Sequence, residues 1–379
     1  MGGTRALSEG MTIAVVSSYY PTRCGVGRFT RSLRTALEGL DPHITVAIAR
    51  LLRSKDLLDY HSEVEVAFDP TNDLATRGAA ERINTFDVAV LQHEFGLYGP
   101  EDGEAVIALV RLIEIPVVSI LHTVLSEPNP TQKSILQALA GAGMVVVPTT
   151  EGRDRLVARY QIPRQRVCVL PHGTVFSPAP VNPAPRRRLI TWGLLGPGKG
   201  LERAIRAVGL LQLEPPVTYE IVGQTHPNVL AKSGEAYRNS LEQLVAMLGL
   251  GNRVRFVDRY LDDAKLSHHV RQADLVVTPY DNHEQICSGV LTDAVACGRP
   301  VVATAYAHAS ELLSTGAGIV VRHSEEDLAA AIEELLTNDE AYTAAAKVAA
   351  DLSGPLSWES VAARLLDLLV DVRSRVEVA

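Results

Sequence analysis

Several features are scarce or missing in this sequence, and each absence excludes a class of protein. There are 4 cysteines in 379 residues, at scattered positions that do not match a metal site. Because the sequence shows no export signal, we expect these thiols to be reduced and the protein to be cytoplasmic. No apolar run is long enough to span a membrane as a helix, and membrane contact is not indicated. The net charge is -8, which argues against a nucleic-acid partner.

The composition that remains is that of a globular protein. Apolar residues make up 46% of the chain and charged residues 21%, which is outside the range of disordered sequences. The length suffices for about two domains of ordinary size. Short apolar runs alternate with amphipathic segments in both halves of the chain, and this rhythm predicts parallel, doubly wound sheets.

The pattern predicts four segments. Residues 1–176 form an N-terminal Rossmann-like domain, and the proline-rich stretch 177–188, which ends in three arginines, is an interdomain linker. Residues 189–355 form a second Rossmann-like domain, and residues 356–379 a C-terminal helix that crosses back to the first domain. The predicted fold class is α/β, with the carboxyl edges of two doubly wound sheets facing a cleft, where ligands of open α/β sheets bind.

The stretch from Pro279 to Thr304 is the most informative part of the chain. A short apolar run ends at Pro279, a polar loop follows, and Ser288 begins a helix that stops at Gly298. The first N–H groups of such a helix have no partner within the helix, and its dipole favours an anion. A phosphate site and an ordinary strand–loop–helix unit explain this stretch about equally well.

Other loops at predicted strand ends add to this picture. Lys199 lies in the glycine loop 196–200, where an ammonium group could pair with phosphate. A second glycine turn, Gly25-Val26-Gly27, precedes a helix predicted to begin at Arg28. His122 follows one strand, and the pair His93 and Glu94 follows another; we take His93 and Glu94 as candidates for binding a second substrate, the acceptor in the reaction that the resemblance described next implies. Each of these features also has an ordinary structural explanation.

Taken together, these motifs resemble the retaining glycosyltransferases of the GT-B fold, family 4. The resemblance is carried in the second half by Gly-Pro-Gly-Lys-Gly at 196–200, Val222-Gly223, and Ala-Cys-Gly-Arg-Pro-Val-Val-Ala-Thr at 296–304. In the first half it is carried by the glycine turn, by Leu-His-Thr around His122 and by Leu-Pro-His-Gly-Thr at 170–174. It spans nearly the whole chain.

The resemblance implies a role for particular residues. Lys199 would hold the diphosphate of a nucleotide-sugar donor, Glu284 would contact the transferred sugar, and His122 would lie by the reacting face of that sugar. Asp293 would bind the nucleotide ribose. The implied catalytic residues are His122, Lys199 and Glu284, and the implied donor-binding residues are Gly25, Val26, Gly27, Leu195, Gly223, Gln285, Ser288, Gly289, Val290, Leu291 and Asp293.

The implied reaction is the transfer of a hexose, with retention of configuration, from a GDP-mannose or UDP-glucose type of donor to an acceptor hydroxyl. The acceptor would be a small molecule, a glycan or a glycolipid, and neither a metal nor a cofactor is implied. Residues 254–258, where the base is expected to dock, show no pattern that separates uridine from guanosine. A nucleotide-sugar 2-epimerase and a non-catalytic two-lobed sugar-binding protein remain alternatives.

Three positions depart from the family pattern. Leu194 stands where the family usually has an arginine five residues before the lysine, so less positive charge would face the leaving diphosphate. The two glutamates of the family are usually eight residues apart, but eight residues after Glu284 the chain has Thr292. Either Gln285 pairs with Asp293, or the loop carries an extra residue. His172 replaces an asparagine that usually precedes the glycine at the end of the first domain.

Overall fold

The structure is a computed structural model that describes residues 10–22, 24–52 and 61–377. The chain divides into two compact units. The first unit runs up to Gly173 and resumes at Trp358, and the second unit runs from Thr174 to Ser357. Each unit is built on one parallel β-sheet, as the alternating pattern of the sequence predicts.

The first unit has a seven-stranded sheet in the order β3-β2-β1-β4-β5-β6-β7, with every pair of neighbours parallel. The strands read as nearly continuous apolar runs because helices cover the sheet. Their bounds are β1 (Met11–Ser17), β2 (Ile44–Leu51), β3 (Val64–Phe68), β4 (Val88–His93), β5 (Val117–Leu121), β6 (Gly143–Val147) and β7 (Val167–Val169).

The helices of the first unit include the last helix of the chain. They are α1 (Gly25–Leu40), α2 (Asp73–Ile83), α3 (Ala105–Leu112), α4 (Pro130–Ala142), α5 (Thr150–Tyr160) and α14 (Trp358–Glu377). Side chains of α1 and α14, such as Leu33 and Leu365, share one hydrophobic core with Ile13 and Val90 of the sheet. The α14 helix therefore completes the core of a unit whose other residues lie far away in sequence.

The second unit has a six-stranded parallel sheet in the order β10-β9-β8-β11-β12-β13. Successive residues face opposite sides of it, since Leu189 and Ile190 belong to different cores. The strands are β8 (Arg188–Trp192), β9 (Thr218–Val222), β10 (Val254–Val257), β11 (Leu275–Thr278), β12 (Val301–Thr304) and β13 (Gly318–Val321).

Helices pack on both faces of this second sheet. They are α6 (Leu201–Leu210), α7 (Pro227–Ser233), α8 (Ala236–Met247), α9 (Asp263–Gln272), α10 (Gly289–Ala296), α11 (Ala307–Leu313), α12 (Glu325–Thr337) and α13 (Asp339–Leu356). The sequence predicts all of these except α7 and α11, which are short. Helices α6, α8 and α12 pack against one face of the sheet and form one hydrophobic core with it. Helices α9, α10 and α13 pack against the opposite face and form the other core.

In both sheets the strand order reverses beside the first strand. The reversal falls between β1 and β4 in the first unit and between β8 and β11 in the second unit. In open α/β sheets, ligands bind outside the carboxyl ends of the strands at such a point. The loops that follow β8 and β11 are the ones that carry Lys199 and Glu284, so the topology itself selects these two loops.

The predicted linker at 177–188 does not connect the units, because it packs within the second unit. Asn182 donates from Nδ2 to Asp274 Oδ1 at 2.7 Å, and the other carboxylate oxygen accepts the N–H groups of Arg187 and Arg188. Arg186 is 6% exposed and lies 3.9 Å above the ring of Tyr342. The proline-rich segment is therefore held by one buried carboxylate and one buried guanidinium, and the unit boundary lies at 173/174.

No helix within the described ranges has both the length and the apolar character that crossing a bilayer would require.

Candidate functional site

The loops after β8 and β11 touch each other through their backbones. The amide of Asp281 donates to the carbonyl of Gly198 at 3.0 Å. A Cβ atom on Gly200 would lie 1.8 Å from the carbonyl oxygen of Pro279, and the φ of Gly200 is +61°. Arg203, one turn into α6, donates from Nη1 to the same Pro279 oxygen at 3.0 Å and pairs with Asp281 at 2.7 Å. Only glycine at 200 permits this close approach.

Lys199 is brought onto an aromatic ring by this contact between loops. Its Nζ lies 4.6 Å from the centroid of the buried ring of Tyr280. Burial lowers the pKa of Lys199. Among the described residues, none of the carboxylates forms an ion pair with it. A partly buried ammonium group that faces a π-system instead of a carboxylate retains its capacity for an anionic ligand.

The start of α10 offers fewer free N–H groups than the sequence predicts. Ser288 caps the helix, and its hydroxyl accepts the N–H of Leu291 at 3.2 Å. The N–H of Ser288 donates to Nδ1 of His308 at 2.9 Å. The prediction that Ser288 and Leu291 present N–H groups to a ligand is therefore wrong. Within the described part of the chain, the N–H groups of Gly289 and Val290 are left without a hydrogen-bond partner, as in the first turn of any helix.

The two candidates for the sugar contact, Glu284 and Gln285, lie in the loop between β11 and α10. The side chain of Asn282 accepts the N–H of Glu284 at 3.0 Å. The side chain of Gln285 donates from Nε2 to the backbone carbonyl of Cys287 at 2.9 Å. The backbone carbonyl of Gln285 accepts the N–H of His308 at 3.0 Å. The loop is thus shaped by its own hydrogen bonds and by α11, and it places both residues immediately before the capped helix start.

Asp293 and Leu195 both have partners within the second unit. Asp293 is 3% exposed, and its Oδ1 accepts the hydroxyl of Thr174 at 2.7 Å. The implied ribose contact of Asp293 stays a prediction. Leu195 is buried, and its backbone N–H and carbonyl pair with Gln224 and His226. Its polar groups bind the loop after β9 instead of a donor.

Gly223 is required by packing. Its φ is +143°, and a Cβ atom there would lie 1.9 Å from the carbonyl oxygen of Gly193. Its carbonyl accepts from Nη2 of Arg238 at 2.7 Å. The residue allows the chain segments after β8 and β9 to lie against each other, and its implied role in binding the donor stays a prediction.

In the first unit, the glycine turn is the first turn of α1. The helix begins at Gly25, three residues earlier than the sequence predicts, and Cys24 caps it by accepting the N–H of Gly27 at 3.3 Å. Among the described residues, the N–H groups of Gly25 and Val26 have no hydrogen-bond partner. A Cβ atom on Gly25 would lie more than 4 Å from the atoms of the other described residues, apart from its two neighbours in the chain.

His122 follows β5 as the sequence predicts, and it is held in place by a residue that the sequence did not reveal. Its Nε2 lies 2.7 Å from Oε1 of Gln92, in β4. Its ring and the ring of Phe29 pack in a T-shaped arrangement, with the ring centroids 4.9 Å apart. Burial, with smaller contributions from His172 and His93, lowers the pKa of His122 to about 3. His122 is therefore neutral at physiological pH, with Nε2–H donating to Gln92.

The two acceptor-side candidates, His93 and Glu94, lie in different surroundings in the structure. Glu94 lies beyond β4, where its carboxylate accepts the hydroxyl of Thr123 at 2.8 Å, and burial raises its pKa. His93 is the last residue of β4 and is 0% exposed, between the rings of Phe95 and Tyr98. The prediction that His93 follows the strand and faces the edge of the sheet is wrong, because the strand extends one residue further than expected.

Replacing His93 with phenylalanine should stabilise the protein in acid. Burial lowers the pKa of His93 to about 3, and neither ring nitrogen has a hydrogen-bond partner in the part of the chain that the structure describes. The unfolded chain therefore binds a proton that the folded chain excludes, and stability falls as the pH drops below the ordinary value of about 6.5. The substitution should raise the free energy of unfolding by about 2–3 kcal/mol more at pH 4.5 than at pH 8, measured by urea unfolding.

Two observations check this interpretation of His93. The control variant His43→Gln should give no comparable gain in acid, because the side chain of His43 is exposed. His122 and His172 keep part of the acid sensitivity in the His93 variant, since burial also lowers the pKa of His172, to about 4. An unchanged pH dependence in His93→Phe would contradict the assignment.

Tyr280, Gln92 and His308 are site residues that the sequence analysis missed. Tyr280 stands two residues beyond the end of β11, which is the same position at a strand's carboxyl end that drew attention to the histidines. A tyrosine there is a signal that could have been used. Gln92 is hydrogen-bonded to His122, 30 residues away, and His308 to Ser288, 20 residues away. No local sequence pattern marks either residue. In the described part of the chain, no three His, Cys, Asp or Glu side chains converge as metal ligands.

Comparison with known proteins agrees with the resemblance. Residues 186–338 match the family model of Glycosyl transferases group 1. The D-inositol 3-phosphate glycosyltransferase of Rhodococcus opacus is 28% identical over 279 residues, which are 67% of this chain and 61% of the relative. The enzyme of the same name from Geodermatophilus obscurus is 32% identical over 261 residues, which are 64% of this chain and 55% of the relative.

Solved structures support the fold over nearly the full length. The Anabaena protein HepE, crystallised with UDP-glucose, is similar with a TM-score of 0.73 at 18% sequence identity, covering 95% of this chain and all of that chain (100%). The predicted GT-B class, with two parallel-sheet α/β units, is confirmed. The chain spans 61% and 55% of the length of the two curated relatives, so their activity is not transferred to it directly.

Proposed function

We propose, from the match of residues 186–338 to the group 1 glycosyl transferases, that this protein transfers a hexose from a nucleoside-diphosphate sugar to an acceptor hydroxyl. One observation carries the proposal. At the strand-order reversal of the second unit, Lys199 is partly buried, lies on the ring of Tyr280 and has no carboxylate partner among the described residues. The strand-order reversal supports a ligand site at this point, and the ammonium group favours an anionic ligand.

In this proposal the second unit binds the donor diphosphate. Lys199 supplies a charge-assisted hydrogen bond, and the N–H groups of Gly289 and Val290 supply two more at the positive end of α10. As the bond between the anomeric carbon and the phosphate oxygen breaks, the electron pair goes to that oxygen. The same donors then stabilise the negative charge that grows on this oxygen. Such stabilisation by preorganised polar groups is usually the largest single contribution to catalysis.

The sugar would lie over the loop between β11 and α10, where Glu284 and Gln285 are held. We propose that the acceptor oxygen attacks the face from which the diphosphate leaves, so that configuration is retained. The acceptor's proton passes to the leaving phosphate oxygen, and atoms and charge balance without another reactant. We further propose that no divalent metal is obligatory, because Lys199 and the α10 N–H groups supply the positive charge.

The first unit would bind the acceptor with His122 and Glu94. The pKa of His122 is lowered to about 3, which makes it a weak base near neutral pH. We therefore assign it to hydrogen bonding and not to proton removal. Glu94 and Thr123 share a hydrogen bond beside it and could accept or donate toward a hydroxyl-rich molecule. The names of the relatives make D-inositol 3-phosphate the first acceptor to test, with UDP-glucose and GDP-mannose as the first donors.

The test is an assay with labelled donor, with and without acceptor. We expect product only when both substrates are present, retained configuration at the anomeric carbon by NMR, and unchanged rates after treatment with EDTA. Conversion of the donor's sugar without an acceptor would favour a 2-epimerase. Tight donor binding with no turnover for any acceptor would favour a sugar-binding protein, and an inverted product would contradict the retaining mechanism.

A further inference from the structure

We propose that the second unit has a further ligand site, at the amino ends of its strands, and that this site binds a small phosphorylated sugar. The site is a cavity of about 640 Å³. It is lined by Arg188 and Thr218, the first residues of β8 and β9, and by Arg253, just before β10. Lys199 lies beyond the carboxyl end of β8, so the two sites are at opposite ends of the same parallel strands. The volume is in the range of small-molecule sites, roughly 300–1,000 Å³.

The cavity lies between the sheet and α9, which are joined by a pair of half-buried side chains. In the sheet, Glu220 of β9 is paired with Ile190 of β8 on one side and with Arg255 of β10 on the other. From the last turn of α9, Nδ1 of His269 lies 2.6 Å from Oε2 of Glu220. This pair therefore fixes the position of the carboxylate in the middle of three neighbouring strands.

The side chains around the cavity carry an excess of positive charge. Within the described part of the chain, three arginines line it, but only one carboxylate does, that of Glu220. The guanidinium of Arg253 is used within the protein, because it donates to the carbonyls of Val208 and Val217 at 2.7 and 3.1 Å. Two guanidinium groups remain for an anionic ligand.

These two groups belong to Arg188 and Arg255. Among the described residues the guanidinium of Arg188 has no partner, while its backbone N–H donates to Asp274 at 2.8 Å. Nη1 of Arg255 lies 3.9 Å from Oε1 of Glu220, which is too far for a hydrogen bond. Arg255 thus leans over β9 toward the strand of Arg188, and that strand is only two strand spacings away, roughly 10 Å. Because guanidinium groups bind phosphate through paired N–H donors, both arginines are suited to hold one phosphate between them.

The uncharged polar groups of the cavity suit the hydroxyls of a sugar. Oε1 of Glu220 accepts no hydrogen bond from the described residues, so it is available to an O–H donor. The amide of Asn252 also lines the cavity without a partner in the described ranges, and it can both donate and accept. A ligand with negative charge along its whole length would be repelled by Glu220. A ligand with one anionic end and a hydroxyl-bearing body fits both halves of the cavity.

The first experiment is calorimetric titration of the full chain with glucose 6-phosphate, inorganic phosphate and glucose. We expect glucose 6-phosphate to bind at least about tenfold more tightly than inorganic phosphate, because its hydroxyls add hydrogen bonds to a charged group. Glucose alone should not bind at the same concentrations. Neither UDP nor GDP should displace glucose 6-phosphate, since the proposed donor site is at the other end of the strands. Displacement by either nucleotide, inorganic phosphate bound as tightly as glucose 6-phosphate, or no binding of glucose 6-phosphate would overturn the inference.

The second experiment repeats this titration with variants. Arg188→Gln and Arg255→Gln should each weaken glucose 6-phosphate by about 10- to 100-fold. The matched control is Arg206→Gln, an exposed arginine on α6, which packs on the other face of the sheet, and this variant should bind normally. Glu220→Gln should weaken glucose 6-phosphate but not inorganic phosphate, because it removes a charged acceptor for hydroxyls and a repulsion of phosphate.

Thermal unfolding without ligand checks that each variant is folded. Both arginines are exposed, so we expect their replacement to leave the unfolding temperature nearly unchanged. Glucose 6-phosphate bound with wild-type affinity by both arginine variants would overturn the inference, because the phosphate would then lie elsewhere on the protein.

Discussion

Replacement of Lys199 with alanine is expected to lower kcat by about 10²–10³-fold, the loss measured when one preorganised stabiliser of a developing oxyanion is removed. The donor should also bind more weakly, since the ammonium group contacts the diphosphate before the reaction. Stability should change little. The lysine leaves no carboxylate without a partner, and its contact with Tyr280 is of a kind that contributes about 0.5–2 kcal/mol. The measurement is steady-state kinetics together with thermal unfolding.

The control for Lys199→Ala is Lys232→Ala. Lys232 is an exposed lysine of the same unit, on α7, so its removal changes the net charge of the protein equally without touching the site. Full activity in Lys232→Ala and a large loss in Lys199→Ala would assign the effect to position and not to charge. Full activity in both variants would contradict the assignment of Lys199 to the diphosphate, and the proposed mechanism would lose its basis.

Gly200→Ala is expected to lower activity by about 10²-fold or more, because small displacements of positioned groups have effects of this size. The new Cβ would lie 1.8 Å from the carbonyl oxygen of Pro279, so the segment after β11 must move. That segment carries Tyr280, against which Lys199 is placed. The φ of +61° adds a backbone penalty of about 1–2 kcal/mol for a residue with a side chain.

Gly198→Ala in the same loop separates the clash from the backbone strain. The φ of Gly198 is +86°, but a Cβ atom there meets nothing within 4 Å. We expect this variant to lose about 1–2 kcal/mol of stability and to keep most of its activity. If both alanine variants lost activity equally, backbone strain alone would explain the result, and the contact between the two loops would not matter for the site.

The sheets could be predicted because local patterns determine them. Buried parallel strands are short apolar runs, and the alternation of such runs with amphipathic segments predicts the two parallel sheets that the structure has. Helix starts were less accessible. Glycines usually mark a turn, but Cys24 caps α1 through its sulfur, so Gly25 and Gly27 are helical. Cysteine is not among the residues that signal a helix start.

The misplaced residues share a cause, which is a partner far away in sequence. Residues 177–188 have the composition of a linker, but Asp274 holds this segment from 92 residues away. The hydrogen bond that the hydroxyl of Thr174 donates to Asp293, 119 residues away, likewise could not be read from the sequence. For His93 the error is one residue at a strand end, which moves a side chain from the edge of the sheet into the core because the strand period is two.

Lys199 shows which part of a site can be read from sequence. Its glycine loop is a local pattern, and so its place at a helix start was predicted. Its lowered pKa and its position over Tyr280 depend on packing between loops 81 residues apart and became visible only in the structure.

The most direct measurement is a crystal structure of the protein with a nucleoside-diphosphate sugar bound. The central claim predicts diphosphate oxygens at about 3 Å from Nζ of Lys199 and from the N–H groups of Gly289 and Val290. A diphosphate bound elsewhere on the second unit, with Lys199 still resting on Tyr280 and out of contact with it, would contradict the account.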